Sequence, residues 1–401
     1  MDQTDGLAVD RTDEMAVDQT DESTVDNETD ESTVDNETDE MAVDNQTDEM
    51  AVDNETDEPA VDQTDEMAED NPKENSGSPR VSVVIPTYNR ADVLPRAIDS
   101  VLTQTFEAFE LLVVDDGSTD RTETVVASLD DSRVRYVAHE TNRGANVARN
   151  TGIEHARGEY VAFLDSDDAW HPTKLEKQLG RLEKRPSDWV AAYCGFTIET
   201  TGVTGTLQTL IAGILAHSDD PPPMEGGEEL IGAILADEIH PGAGSTLLVR
   251  TAVAREVGGF DETLDRFQDP EFVIRILRAG AIVYVDEPLV VRHETGSPDA
   301  EVIRDASEQY LSTYADTVDR LEAEGYEIRA SHDFVIAKAF YTEGRYLRGT
   351  WHLAHATVVP RHYPGLLWAI GTGVRRRPAP VVAGVVLVAL LAVLGAARRQ
   401  T

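Results

Sequence analysis

The alternation of predicted strands and helices between residues 81 and 164 constrains the fold more than any other feature of this chain. Four mostly apolar runs, at 81–86, 110–114, 134–138 and 160–164, are separated by stretches with helical spacing of apolar residues. Runs of this kind are typical of strands that are buried on both faces. Strands that alternate with helices favour a largely parallel sheet covered by helices on each side. The sequence therefore predicts an α/β fold with a Rossmann-like, mostly parallel sheet.

An acidic cluster follows the fourth of these strands. The segment YVAFLDSDDAW, residues 160–170, places Asp165, Asp167 and Asp168 directly after an apolar run. Open α/β sheets bind ligands at the carboxyl ends of their strands, and carboxylate oxygens suit Mg²⁺ or Mn²⁺. Taken alone, such a run is more often a solvated turn. The order of the neighbouring segments favours a binding site.

Three further polar segments are expected at the same edge of the sheet. They are the first strand end, Pro86-Thr87-Tyr88-Asn89-Arg90, the second strand end, Asp115-Asp116-Gly117-Ser118, and a helix start, Asn142-Arg143-Gly144 with Arg149 and Asn150. Strand carboxyl ends and helix N-termini converge on one crevice in such folds. In this order, the four segments resemble the family 2 glycosyltransferases of the GT-A fold, and the resemblance runs from about Val81 to about Val285.

The resemblance implies roles for individual residues. The implied nucleotide-binding residues are Pro86, Thr87, Tyr88, Asp115, Asp116, Asn142, Arg149 and Asp165. The Tyr88 ring would lie against uracil or a similar base, and one carboxylate of Asp115 or Asp116 would accept a hydrogen bond from a base N–H. Asp167 and Asp168 would hold a divalent metal, Mg²⁺ or Mn²⁺, which neutralises charge on the departing diphosphate. The implied donor is a UDP- or GDP-linked sugar.

A general base is implied within the segment Phe267-Gln268-Asp269-Pro270-Glu271. Gln268 stands where the family usually has an acid, and Asp269 keeps the second acidic position. Asp269 would take the proton of an acceptor hydroxyl as that oxygen attacks the anomeric carbon, with inversion. The sequence fits equally well with a helix cap at Asp269 followed by Pro270, and one residue can serve both roles. His293 follows the last predicted strand and could close over the diphosphate, but a lone histidine in such a place is more often structural, and the same holds for His240 beside Pro241.

The charge of the chain is concentrated at its N-terminus. Of a net charge of −42, residues 1–70 supply 28 Asp and Glu against one Arg, in a repeat such as VDNETDEMA without aromatic residues. This composition predicts a disordered acidic tail over residues 1–72, followed by a linker at 73–80. The remaining chain is also acidic and prefers Arg to Lys, which predicts a salt-loving host, a halophilic archaeon, and excludes nucleic acid as a partner.

The C-terminal part has a different composition. After the expected catalytic domain at 81–300, residues 301–374 predict an extension of three or four helices. Residues 379–397 then carry no charge and, as a helix, would reach about 28 Å, close to the thickness of a membrane core. Basic residues on both sides favour a cell-membrane anchor with the catalytic domain on the cytoplasmic side.

These features predict transfer of a sugar to a hydroxyl of a membrane-linked or glycan acceptor. One alternative is a polyprenyl-phosphate sugar synthase, in which an ionised lipid phosphate attacks and hardly needs Asp269. Another is a non-catalytic, membrane-anchored nucleotide-binding scaffold with the acidic tail as its recruiting segment. The acidic cluster together with Asp269 favours an enzyme, since a scaffold has no need for both.

Overall fold

The computed structural model describes residues 78–199, 222–242, 244–293, 299–359 and 362–376. The predicted acidic tail, most of the linker and the predicted membrane helix at 379–397 lie outside these ranges. Within them, no helix has the length and apolar character that a membrane crossing requires.

Eight strands form one sheet in the described part of the chain. They are β1 (Val81–Thr87), β2 (Phe109–Asp115), β3 (Val134–Ala138), β4 (Tyr160–Phe163), β5 (Ala169–Trp170), β6 (Trp189–Glu199), β7 (Leu248–Arg250) and β8 (Ala281–His293). Their order is β3-β2-β1-β4-β7-β6-β8-β5. The first four strands are parallel, as are β6 and β8, whereas β7 runs against β4 and β6 and β5 runs against β8. The predicted α/β fold with a mostly parallel sheet is confirmed.

Helices cover both faces of the sheet. Up to the end of β8 they are α1 (Leu94–Leu102), α2 (Thr122–Ala127), α3 (Ala145–His155), α4 (Lys174–Leu182), α5 (Ile231–Leu235), α6 (Thr251–Glu256) and α7 (Gln268–Ala279). Strand β1 is buried along its whole length. Val84 packs into the core on one face, while Val83 and Ile85 pack into the core on the other. Burial of both faces explains why the run shows no polar alternation.

The C-terminal extension forms five helices in the part that the structure describes. They are α8 (Ala300–Thr313), α9 (Ala315–Ala323), α10 (Ile328–Thr342), α11 (Tyr346–His355) and α12 (Tyr363–Arg376). Tyr310, Val318 and Ile328 are buried in the same core as Phe260 and Phe272 of the preceding domain. The start of the extension therefore packs onto the sheet domain.

Candidate active site

A cleft of about 450 Å³ opens at the carboxyl ends of β1, β2 and β4, and we call it the first cleft. Nine of the residues predicted for the site line it: Pro86, Thr87, Tyr88, Asp116, Asn142, Arg149, Asp165, Asp167 and Asp168. Residues from three separate strand ends and one helix start thus meet in one place. Asp115 and Asp269 do not line this cleft.

The two neighbouring aspartates after β2 have different surroundings. Asp115 is buried, and its carboxylate accepts hydrogen bonds from the Tyr136 hydroxyl at 2.5 Å and from the Ser118 backbone N–H at 2.8 Å. Asp116 lines the first cleft and accepts from the backbone N–H of Gly144 at 2.7 Å. Its other oxygen lies 2.7 Å from His139 Nδ1. Asp116 thus ties the start of α3 to the end of β2 at the cleft wall.

Arg149 lies between the acidic groups of the site. Its guanidinium is 5% exposed and donates to Asp165 Oδ1 at 2.7 Å, whereas its Nε–H has no partner among the described residues. Burial acts to lower the pKa of Arg149, but the charges of Asp165, Asp269 and Asp167 outweigh burial and raise it. Arg149 is therefore a fixed cation that faces three carboxylates.

The three aspartates after β4 differ in their hydrogen bonds. Asp168 is buried and accepts from the Ser245 hydroxyl at 2.6 Å and the His293 backbone N–H at 3.0 Å. Burial, with the nearby charge of Asp165, raises the pKa of Asp168 to about 6. Asp167 is less enclosed, and its carboxylate lies 3.7 Å from the Arg90 guanidinium.

The donor atoms of this loop suit a hard divalent cation. No cluster of three or more metal-binding side chains occurs in the described residues. Mg²⁺ is usually held by only one or two carboxylates, with phosphate and water oxygens as its other ligands. Asp167 and Asp165 present such oxygens to the cleft, so the residues fit a metal that binds together with a diphosphate.

Asp269 lies in the first turn of α7 and faces a different space. Its Oδ2 accepts from the Gly244 backbone N–H at 3.0 Å, and its buried Oδ1 has no partner among the described residues. Burial raises the pKa of Asp269, the charge of Asp165 adds to this effect, and the charge of Arg149 opposes it. No side-chain capping bond occurs at the N-terminus of this helix. The Asp269 carboxylate instead binds a neighbouring loop.

A second cleft, of about 400 Å³, contains Asp269. We define it by its residues from α7 and the loop before that helix, Asp265 to Pro270, together with Tyr310, His332, His240 and Arg292. Arg292 lines both clefts. The base candidate and the acidic cluster therefore open onto adjoining spaces that share one cation.

Several residues of the site were not anticipated from the sequence. Arg292, Ser245 and Gly244 lie on distant segments without a local motif, and Tyr310 comes from the C-terminal extension. His293 does line the first cleft, with Nδ1 unpartnered in the described residues and Nε2 paired with Glu199. His240 lines the second cleft at 2.9 Å from Asp237, which raises the histidine pKa.

Comparison with known proteins shows what this chain is similar to. Residues 82–256 match the family model "Glycosyl transferase family 2". An uncharacterized glycosyltransferase of Rickettsia typhi is 34% identical over 218 residues, which cover 54% of this chain and 65% of the relative. WfgD of Escherichia coli, a UDP-Glc:alpha-D-GlcNAc-diphosphoundecaprenol beta-1,3-glucosyltransferase, is 44% identical over 104 residues, 26% of this chain and 41% of the relative. The chain spans less than two thirds of the length of either relative.

Among solved structures, TarS 1–349 of S. aureus in complex with UDP is similar over 75% of this chain and 81% of that chain, with 22% identity and a TM-score of 0.44. The family match and the curated relatives agree with the fold and with the expected enzyme class. By these comparisons, residues 82–256 are similar to a glycosyl transferase family 2 domain.

Proposed function

We propose that this chain transfers a sugar from a nucleoside-diphosphate sugar to a hydroxyl of a membrane-linked or glycan acceptor, with inversion at the anomeric carbon. One arrangement carries the proposal. Asp269 lines the second cleft and has a buried Oδ1 without a partner among the described residues, while Arg149, whose charge acts to lower the pKa of Asp269, is paired with Asp165 in the first cleft. The Arg149 guanidinium therefore interacts with both the candidate base and the candidate nucleotide site. This arrangement suits a direct displacement, in which the acceptor attacks the donor sugar.

The donor would occupy the first cleft. Tyr88 is 44% exposed there, so its ring is free to lie against a UDP or GDP base, and Asp116 and Asn142 form the neighbouring wall. The metal, when bound, would neutralise the departing diphosphate. Asp167 would hold it most directly, whereas Asp168 already binds Ser245 and the His293 backbone.

The acceptor hydroxyl would enter from the second cleft. Asp269 Oδ1 would take its proton while the hydroxyl oxygen bonds to the anomeric carbon and the bond to the diphosphate breaks on the opposite face. The raised pKa of Asp269 makes its carboxylate a stronger base than an exposed aspartate. Arg149 would keep Asp269 ionised before the reaction and Asp165 in place.

A membrane-proximal acceptor and a cytoplasmic location extend this proposal. They are supported by the uncharged segment 379–397 and by the lipid-linked acceptor in the name of the E. coli relative. A salt-rich archaeal host stays a prediction from the excess of acidic over basic residues.

The replacement Asp269→Asn tests the proposal. Turnover of a panel of UDP- and GDP-sugars with Mg²⁺ or Mn²⁺ should fall by about a thousandfold, as for loss of a general base. Affinity for UDP or GDP should stay unchanged, because Asp269 does not line the first cleft. Asp130→Asn, which removes an exposed carboxylate away from both clefts, should behave as the wild type.

A polyprenyl-phosphate sugar synthase is the second candidate, and the cations Arg266 and Arg292 at the second cleft favour it. A lipid phosphate is already ionised and needs no base. Full transfer by Asp269→Asn to a polyprenyl phosphate would select this function over the first.

A further inference from the structure

Three residues that line the second cleft each carry a buried polar atom without a partner among the described residues. The atoms are Gln268 Oε1, Asp269 Oδ1 and the Tyr310 hydroxyl oxygen. Tyr310 is 1% exposed, so its side chain has almost no contact with bulk solvent. Buried polar groups are nearly always hydrogen-bonded, and each exception needs an explanation. A ligand with several hydroxyl groups would satisfy the Tyr310 O–H donor and the two acceptors, Gln268 Oε1 and Asp269 Oδ1, at once.

Arg266 adds a positive charge to the same cleft. It is half-buried, burial lowers its pKa, and no carboxylate among the described residues compensates for that burial. Arg292, which also lines this cleft, has a loose pairing with Asp168, at 3.9 Å. Burying a guanidinium without a partner is costly unless a ligand supplies the negative charge.

The acidic residues of the cleft do not fill this role. Asp237 is bound to His240 at 2.9 Å, and Asp269 is held by the Gly244 backbone and faces Arg149. Asp265, beside Arg266 in the chain, is exposed and forms no ion pair in the described ranges. The Arg266 guanidinium is thus available to an anion.

We propose that the second cleft binds a sugar that carries a phosphate or diphosphate, with Arg266 pairing with the phosphate and Tyr310 and Gln268 binding sugar hydroxyls. This proposal rests on the proposed function and specifies its acceptor. The Tyr310 O–H would donate to one sugar oxygen, while the Gln268 side-chain carbonyl would accept from a sugar hydroxyl. Asp269 Oδ1 would then face the remaining hydroxyl, the one that reacts.

Paired probes separate phosphate recognition from sugar recognition. The full chain would be titrated calorimetrically with decyl diphosphate esters of glucose, galactose, mannose and N-acetylglucosamine, and with the matching decyl glycosides. For at least one hexose the wild type should bind the ester more tightly than the glycoside. Arg266→Ala should reduce the ratio of ester to glycoside affinity about 10- to 100-fold, the range for hydrogen bonds to charged groups.

Two further variants complete the test. Tyr310→Phe removes only the hydroxyl and should weaken ester and glycoside alike by about fivefold to tenfold. Arg121→Ala, which removes an arginine with an 80% exposed side chain outside both clefts, should leave the ratio as in the wild type.

An unchanged ratio in Arg266→Ala, equal wild-type affinity for esters and glycosides, or no binding of any ester would overturn the inference. The proposed function is tested separately by turnover of nucleotide sugars. If nucleotide sugars are turned over but Arg266→Ala leaves the ratio of ester to glycoside affinity unchanged, only the proposed class of acceptor is rejected. Binding as expected, without turnover of any nucleotide sugar, would instead reject the proposed function.

Discussion

The Phe267 ring stacks on the Tyr310 ring, with centroids 5.2 Å apart and planes 6° from parallel. Phe267 has a φ of 59°, in the left-handed region that a bulky residue seldom adopts. His332 lies 5.3 Å from the Phe267 ring and is itself held by the Ser307 hydroxyl, at 2.6 Å. Helices α8 and α10 thereby hold the residue that precedes α7, two positions before Asp269.

Tyr310→Leu should therefore lower the turnover number rather than donor affinity. The left-handed conformation of Phe267 costs on the order of 1–3 kcal/mol, and the aromatic stack contributes about 1 kcal/mol against it. Without the stack, the start of α7 should relax and move Asp269, and we expect about a tenfold drop in kcat. Steady-state kinetics on nucleotide sugar and acceptor would measure it.

Tyr310→Phe is the matched control for that substitution, since it keeps the ring and removes the hydroxyl. It should raise the acceptor KM and leave kcat close to the wild-type value. Equal kcat for Tyr310→Leu and Tyr310→Phe would show that the stack does not position Asp269.

Gly117 permits a close contact between two loops of the first cleft. Its φ is +79°, and a Cβ at this position would lie 2.7 Å from the backbone carbon of Thr141 and 2.9 Å from the Asn142 nitrogen. Gly117→Ala should displace the loop that carries Asn142. We expect about a tenfold loss of UDP or GDP affinity and a loss of stability on the order of 1–3 kcal/mol.

Gly180→Ala supplies the comparison, because Gly180 lies in α4 and a Cβ there would point into open space among the described residues. This replacement should raise the free energy of unfolding by up to about 1 kcal/mol and leave nucleotide affinity alone. Urea unfolding and calorimetric titration with UDP and GDP would measure both effects. Wild-type nucleotide affinity in Gly117→Ala would contradict the loop contact.

The strand ends of the first cleft could be predicted because their signals are local. Each consists of an apolar run followed by polar residues, and the parallel order brings such ends to one edge. The choice between Asp115 and Asp116 could not be predicted, since adjacent residues at a strand end face opposite sides and the twist decides which one reaches the cleft. In the structure Asp115 faces inward, where its carboxylate accepts from the Tyr136 hydroxyl, while Asp116 lines the first cleft.

The second cleft could not be predicted from local sequence patterns. Its walls join α7 to Tyr310 and His332, which lie more than 30 positions beyond the end of that helix and look like ordinary helix-core residues. The sequence pattern indicates strand β8 only over 282–285, because Asp286, Glu287 and Pro288 interrupt its apolar pattern. The strand continues through a register irregularity against β6, and this continuation carries Arg292 to both clefts.

Arg149→Met should shift the pH dependence of transfer. A general base works when ionised, so activity falls as pH drops through the pKa of Asp269, which burial raises above its usual value of 3.8. Arg149 opposes that rise, and its removal should raise the pKa of Asp269 further. The acidic limb of the kcat profile should therefore move to higher pH. A lower kcat with the limb in its wild-type position would mean that Arg149 does not set the ionisation of Asp269.

Lys174 should make the stability of the protein, rather than its activity, depend on pH. Its ammonium is fully buried 3.8 Å from the centre of the Trp170 ring and donates to Gln178 at 2.8 Å. Burial lowers the pKa of Lys174 to about 8 from 10.5. Between these values the unfolded chain binds more protons than the folded chain, so the free energy of unfolding rises with pH.

Lys174→Met should abolish this rise. The wild type should gain up to about 3 kcal/mol relative to Lys174→Met between about pH 8 and pH 10.5, and the difference between the two proteins should be constant below pH 8. Urea unfolding at a series of pH values measures the effect, and subtraction of the two curves removes the contribution of all other groups. Parallel curves from pH 7 to pH 10.5 would show that Lys174 keeps an ordinary pKa, and that its contacts with Trp170 and Gln178 offset the cost of burying its charge.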